Sequence, residues 1–197
     1  MKRLIIGSRG SRLALHQSQF LQQLLQSHHP ELEVSIEVIR TTGDKMIRTA
    51  LSQLATSVKG LFVKEIEEAL LQNKIDLAVH SLKDLPTKLP DGLDLASIPK
   101  REDARDALIT ISTRIQSLDD LPEGTKLGTG SLRRLVQLQH LRPDLIISPI
   151  RGNVDTRIRR IQEQGLDGIV LAVAGLRGLG LEEKISFTFP VEDMVPA

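Results

Sequence analysis

His80-Ser81-Leu82-Lys83-Asp84-Leu85-Pro86 sets an imidazole, a hydroxyl, an ammonium and a carboxylate directly after the apolar run Ile75–Val79. The carboxyl end of a strand is where α/β sheets gather their ligands. From there the Asp84 carboxylate can offset positive charge developing on a bound molecule. Asp84 beside Lys83 also has the look of a solvated ion pair or a helix cap, and His80 reads as a structural side chain rather than an acid or base. Two more stretches share one grammar. Gly7-Ser8-Arg9-Gly10-Ser11 and Gly128-Thr129-Gly130-Ser131-Leu132-Arg133-Arg134 each lie between an apolar run and a helical pattern. Backbone N–H groups at such a helix start can hold an anion, helped by Arg9, by the Ser11 hydroxyl and by their counterparts in the second loop. Serine-capped turns alone give the same pattern. Arg151-Gly152-Asn153-Val154-Asp155-Thr156-Arg157 again joins a strand to a helix, with Arg151 at the strand end and Arg157 on the helix. Lys59 closes a long stretch that begins near Thr41 and carries no clear periodicity; such loops serve as lids or stay disordered, and Lys59 is either a lid cation or a solvated residue ahead of a helix.

Composition narrows the chemistry. The 197 residues contain no cysteine, which removes disulfides, thiolate metal sites and cysteine nucleophiles. The five histidines offer no i, i+4 pair with a third ligand, so no metal is expected. Neither glycine-containing loop has the GxxxxGKS/T spacing of a phosphate loop or a GxGxxG fingerprint with a ribose-reading acid, which argues against nucleotides. Net charge is +1, yet residues 133 to 160 hold seven arginines (133, 134, 142, 151, 157, 159, 160) against Asp144 and Asp155. That stretch attracts anions. With no Trp or Tyr and four Phe, stacking platforms for nucleic acid are scarce, and a small polycarboxylate or phosphate fits better. No apolar run approaches membrane-spanning length, and the start lacks a signal-like apolar region, so a cytoplasmic protein without membrane contact is expected.

The elements that must hold these groups alternate. Residues 4–6, 34–39, 75–79, 93–98, 107–111, 145–150 and 168–173 are short apolar runs rich in β-branched side chains and read as strands. Helices are expected at about 12–24, 61–72, 131–141 and 153–164; in the second, Phe62, Ile66 and Leu70 recur at helical spacing against Lys64, Glu65, Glu67 and Glu68. The fold class is α/β. The charged, proline-containing stretch 98–103 separates two such sets, giving two lobes of ordinary domain size.

Taken in order, GSRGSRLAL at 7–15, TTGD at 41–44, KGLFVKEIEEALL at 59–71, DLAVHSLKDLP at 76–86, REDARDA at 101–107, GTGSLRR at 128–134, RPDLIISPIRGNVDTR at 142–157 and LAVAGLRGLGL at 171–181 resemble the porphobilinogen deaminase family over essentially the whole chain. The resemblance implies two periplasmic-binding-protein-like lobes, each a mixed sheet flanked by helices, hinged around a central cleft. Domain 1 would be 1–99 with 195–197, domain 2 would be 100–194, and a third domain would lie outside this chain. It implies a transferase of tetrapyrrole (heme, chlorophyll) biosynthesis that condenses four porphobilinogen molecules head to tail with loss of ammonia, giving hydroxymethylbilane. It also implies a dipyrromethane cofactor on a cysteine of the third domain. In that light Asp84 is the catalytic carboxylate, contacting pyrrole N–H groups and stabilising the azafulvene cation. Arg9, Ser11, Lys83, Thr129, Ser131, Arg133, Arg134, Arg151 and Arg157 hold acetate and propionate groups, Ser81 orients groups beside Asp84, and Lys59 sits on a loop over the cleft. Arginine forks suit carboxylates, since they bind them bidentately with charge-assisted bonds.

Three departures stand out. Gly178 occupies the second position after AGL, where a basic residue is common, leaving Arg177 without an assigned role; Gly130 stands where a serine is common; and the chain stops at Ala197 before any cysteine. The fragment alone is therefore expected to be inactive, and a monomer. The rival from another class is a two-lobed binder of a small anion without catalysis, which the fold type permits; a carboxylate facing the ligand speaks against it.

Overall fold

The computed structural model describes residues 2–41, 63–111 and 115–197, which fall into two units, residues 1–98 and 99–197. Lys59 lies outside the described residues. In the first unit, β1 (Lys2–Ser8) becomes buried toward its carboxyl end and leads through a short loop into α1 (Arg12–His28). Ser11 caps that helix by accepting from the Ala14 N–H at 3.3 Å, and Pro30 follows shortly after its last residue. Then come β2 (Leu32–Val38), α2 (Lys64–Leu71), β3 (Leu77–Ala78) and a 3₁₀ turn, Leu82–Asp84. The described strands pair in parallel in the order β2-β1-β3, with Gly7 opposite Ala78.

The second unit contains β4 (Asp106–Thr110), β5 (Lys126–Gly128), α3 (Leu132–Leu141), β6 (Ile146–Ser148), α4 (Val154–Glu163), β7 (Gly168–Ala172), α5 (Val173–Arg177), a 3₁₀ turn at Glu182–Lys184 and β8 (Phe187–Thr188). Its sheet runs β6-β5-β7-β4-β8, with β6, β5 and β7 parallel and β4 antiparallel to β7 and β8. Only this sheet is mixed among the described strands; the first unit's is parallel throughout. The period of two along β4 and β7 sorts the core onto two faces. Ala107, Ile109, Ile169 and Leu171 face Ile161 of α4 and Val173 and Leu176 of α5. Leu108 and Val170 face the opposite way, toward Leu138 of α3, Phe189 and Met194. Gly168 is required where β7 meets β4: a Cβ there would lie 2.5 Å from the Ile109 carbonyl oxygen.

One expectation is corrected. Residues 93–98 form no strand among the described residues, and Leu95 and Ile98 are exposed. Asp94 accepts from the Leu95 N–H at 2.7 Å, so a local side-chain bond takes a donor that a sheet ladder would need. In the tail 195–197, the Val195 N–H donates to Gln137 at 2.7 Å and Arg101 donates to the Ala197 carbonyl at 2.7 Å.

Candidate functional site

In the first unit the parallel pairing of β1 with β3 makes their carboxyl ends neighbours, so the loop carrying Arg9 and Ser11 and the loop carrying His80 to Asp84 leave the same edge of the sheet. Ser11 is spent on the helix cap described above. Ser81 bonds the Gln17 side-chain amide of α1, receiving from Nε2 at 3.1 Å and donating to Oε1 at 3.4 Å. Its carbonyl accepts from the Asp84 N–H at 2.9 Å, which closes the 3₁₀ turn. Asp84 is therefore carried on a turn whose first residue is tied to α1. Its carboxylate is exposed and makes no hydrogen bond or ion pair with a described residue. Burial holds the His80 imidazole below its ordinary value, with Asp84 pulling it back up and Arg9 adding to the depression. His80 thus stays largely neutral near pH 7 and marks how close Arg9 and Asp84 lie to one another's fields. Lys83 is exposed on the same turn.

In the second unit, Gly128 pairs with Ser148, so β5 and β6 bring their carboxyl ends together, while Gly128 meets Ile169 near the start of the parallel β7. Thr129 is buried there, and its hydroxyl accepts from the Ser131 N–H at 3.2 Å. Ser131 caps α3, accepting from the Arg134 N–H at 3.5 Å. Gly130 between them passes close to the β6 exit: a Cβ would sit 2.6 Å from the Ile150 carbonyl oxygen. The glycine that departs from the family pattern is thus demanded by this chain's own backbone.

The first turn of α3 then carries two arginines into one carboxylate. Arg134, 7% exposed, donates to one oxygen of Asp106 at 2.7 Å and to the Val170 carbonyl at 3.0 Å. Arg133, 26% exposed, donates to the other oxygen at 2.6 Å and also to the Val195 carbonyl. Of the remaining arginines in the basic stretch, Arg142 is bidentate to Asp144 and Arg159 pairs with Glu163. Arg151 is exposed. Arg157 gives its Nε–H to the Gly152 carbonyl at 2.7 Å and forms no ion pair with a described residue. Burial, and next the nearby Arg134, push its guanidinium below the usual value. A half-buried cation held beside another cation is a receptor for negative charge. Arg177 acquires a structural role, reaching Asp103 at 3.4 Å and Glu182 at 2.6 Å.

Within each unit the structure brings the expected groups to one sheet edge. Sequence reasoning missed Asp106, Gln17 and Gln137. Asp106 had a legible signal: an acid opening a strand as apolar as 107–109 must be buried, and a buried carboxylate calls for a cation from elsewhere in the chain. The two glutamines carried none. Among the described residues there is no cluster of three metal-ligating side chains and no helix long and apolar enough to cross a membrane.

A family model described as porphobilinogen deaminase, dipyromethane cofactor binding domain, matches residues 4–197. A porphobilinogen deaminase of Sulfurimonas denitrificans is 52% identical over 199 residues, covering 100% of this chain and 62% of its own length. One of Syntrophus aciditrophicus is 52% identical over 192 residues, covering 98% and 61%. The chain therefore spans about six-tenths of the curated relatives it matches. Among solved structures, the methionine binding protein MetQ superposes with a TM-score of 0.55 at 16% identity, over 95% of this chain and 78% of that one. That likeness is one of fold, and it places the chain among periplasmic-binding-protein-like α/β folds.

Proposed function

The chain belongs to the porphobilinogen deaminase family, and on that premise we propose that it carries the catalytic carboxylate and the acid-binding arginines of a transferase that condenses porphobilinogen, with loss of ammonia, into hydroxymethylbilane. The observation that carries the proposal is Asp84: an exposed carboxylate, unpaired among the described residues, on a turn braced against α1, at the sheet edge it shares with Arg9. In this reading its negative charge offsets the positive charge left on the methylene carbon when a bound pyrrole loses ammonia, and its oxygens accept from pyrrole N–H groups. Burial favours the neutral form of His80, so it adds little positive charge next to Asp84.

The residues present fit a dipyrromethane group, because Arg157 is a half-buried cation without an acid partner among the described residues, near Arg134, and the hydroxyls of Thr129 and Ser131 follow a strand end of the same unit. Arg151, Arg157, Thr129, Ser131, Arg133 and Arg134 would hold its acetate and propionate groups, with Arg9, Ser11, Ser81 and Lys83 on the side of Asp84. When bound, that group supplies the pyrrole end to which new units are joined. With no cysteine in the 197 residues, its thioether cannot be made to this stretch. Lys59 belongs to the same reading as a cation of the loop 42–59. The reading further takes the protein as a cytosolic monomer that binds neither nucleic acid nor membrane.

The deciding experiment replaces Asp84 by Asn in the full-length protein. Turnover is expected to fall by more than a hundredfold with porphobilinogen binding retained; turnover within about tenfold of wild type, a change of only ~1.4 kcal/mol in barrier, would favour the small-anion binder instead.

A further inference from the structure

Arg133 sits at the mouth of the second unit's strand ends, and its guanidinium is pinned at two points. Nη2 donates to Asp106, and Nη1 donates to the Val195 carbonyl. The first anchor is a buried carboxylate fixed in β4. The second is a backbone carbonyl in a tail that has no strand or helix of its own, so something must hold it. Gln137 does. Its Oε1 accepts from the Val195 N–H at 2.7 Å and its Nε2 donates to the Val195 carbonyl at 3.2 Å, so one carboxamide grips both polar groups of a single residue as a neighbouring strand would. The same Nε2 also reaches the Arg133 carbonyl at 3.2 Å, one turn earlier on α3, which fixes the rotamer of the glutamine.

We propose that Gln137 is a positioning residue for Arg133, acting through the backbone of Val195. The inference rests on the assignment of Arg133 as a carboxylate ligand. With Nη1 and Nη2 each committed on one side, the remaining N–H groups of Arg133 are aimed in a fixed direction, and a carboxylate arriving there meets a preoriented donor pair rather than a side chain free among rotamers. Arg101, which holds the Ala197 carbonyl, fastens the same tail farther along without touching Val195 and serves as the control.

The probe is porphobilinogen, titrated calorimetrically into this 197-residue chain and its variants, together with ¹⁵N-edited NMR of the arginine side chains. Gln137→Leu is expected to weaken binding about tenfold and to collapse the separate Nη resonances of Arg133 into averaged ones, while Arg101→Ala changes binding less than twofold. In the background of Arg133→Lys, which has no fork to orient, Gln137→Leu is expected to have no further effect. If Gln137→Leu does not fold, Gln137→Glu, which keeps the acceptor for the Val195 N–H and loses the donor to its carbonyl, is read by the same criteria. Wild-type affinity and resolved Nη signals in the variant would overturn the inference, as would an equal loss when Arg133 is already lysine. Absence of any binding by the wild-type chain would instead defeat the assignment of Arg133 on which the inference stands, and the inference with it.

Discussion

Asp84 and Asp106 are the same side chain put to opposite uses, and only their surroundings tell them apart. Asp106 is 1% exposed and meets Arg133 and Arg134 at 2.6 and 2.7 Å, whereas Asp84 is exposed and pairs with no described residue. Removing the charge of Asp106 leaves Arg134 buried with an uncompensated cation, and breaking a buried pair from one side costs about 3–5 kcal/mol. Asp106→Asn is therefore expected to lower stability by that amount in urea denaturation of this chain. Asp84→Asn, at an exposed carboxylate that bonds no described residue, is expected to stay within about 0.5 kcal/mol of wild type. A stability loss at Asp84 comparable to that at Asp106 would mean that its carboxylate is structural. Both aspartates follow or open an apolar run, so the sequence distinguished them poorly. Asp84 was legible because it ends a strand, and Asp106 was passed over because its partners lie 27 and 28 residues away on another element.

Among the elements, strands of five or more residues with β-branched runs were readable, as were the four helices with a one-sided apolar face. What escaped were the five-residue α5 and the strands β5 and β8, three and two residues long; all are too short to show a period, and the two strands pair because longer neighbours template them. Gly168 shows how tightly one of those neighbours is fitted. Alanine there would drive a Cβ into the Ile109 carbonyl across the β4–β7 ladder, and Gly168→Ala is expected to cost about 1–3 kcal/mol, read as a lowered thermal midpoint, through backbone displacement in the centre of the sheet. Elements are also joined by charge. Asp103 is held by Arg105 at 2.7 Å and by Arg177 of α5 at 3.4 Å, and the side-chain bonds from Arg105 lower its carboxyl from 3.8 to about 2. A depressed folded value means that the stabilisation is complete above pH 3.8 and is lost as pH falls from there toward 2. Stability of the chain should therefore drop through that window, and Asp103→Asn should flatten this part of the profile; an unchanged slope in the variant would assign the acid sensitivity to other carboxylates.

For the whole molecule, the seven arginines of 133–160 looked in sequence like one basic field, but the structure divides them. Arg142 and Arg159 pair with Asp144 and Glu163, Arg133 and Arg134 share the one Asp106, and Arg151, Arg157 and Arg160 form no ion pair with a described residue, so the cations not matched by acids are Arg151 and Arg157 at the strand ends, Arg160 on the helix beyond them, and part of the Arg133–Arg134 pair. A field so localised suits a small polycarboxylate rather than a polyanion, whose binding draws on many cations at once. The same division separates binding from turnover. All the proposed acid-binding side chains lie within these 197 residues, while the sequence has no sulfur nucleophile on which a dipyrromethane primer could be mounted. The chain should then bind porphobilinogen with an affinity that weakens as salt rises, since its contacts are charge-assisted. It should release no hydroxymethylbilane when incubated with it. Calorimetric titration at low and high salt checks the first outcome, and a product assay on protein freed of any full-length enzyme checks the second. Product formation by this chain alone would show that the primer need not be tethered through cysteine, and would remove the reason for dividing acid recognition from chemistry.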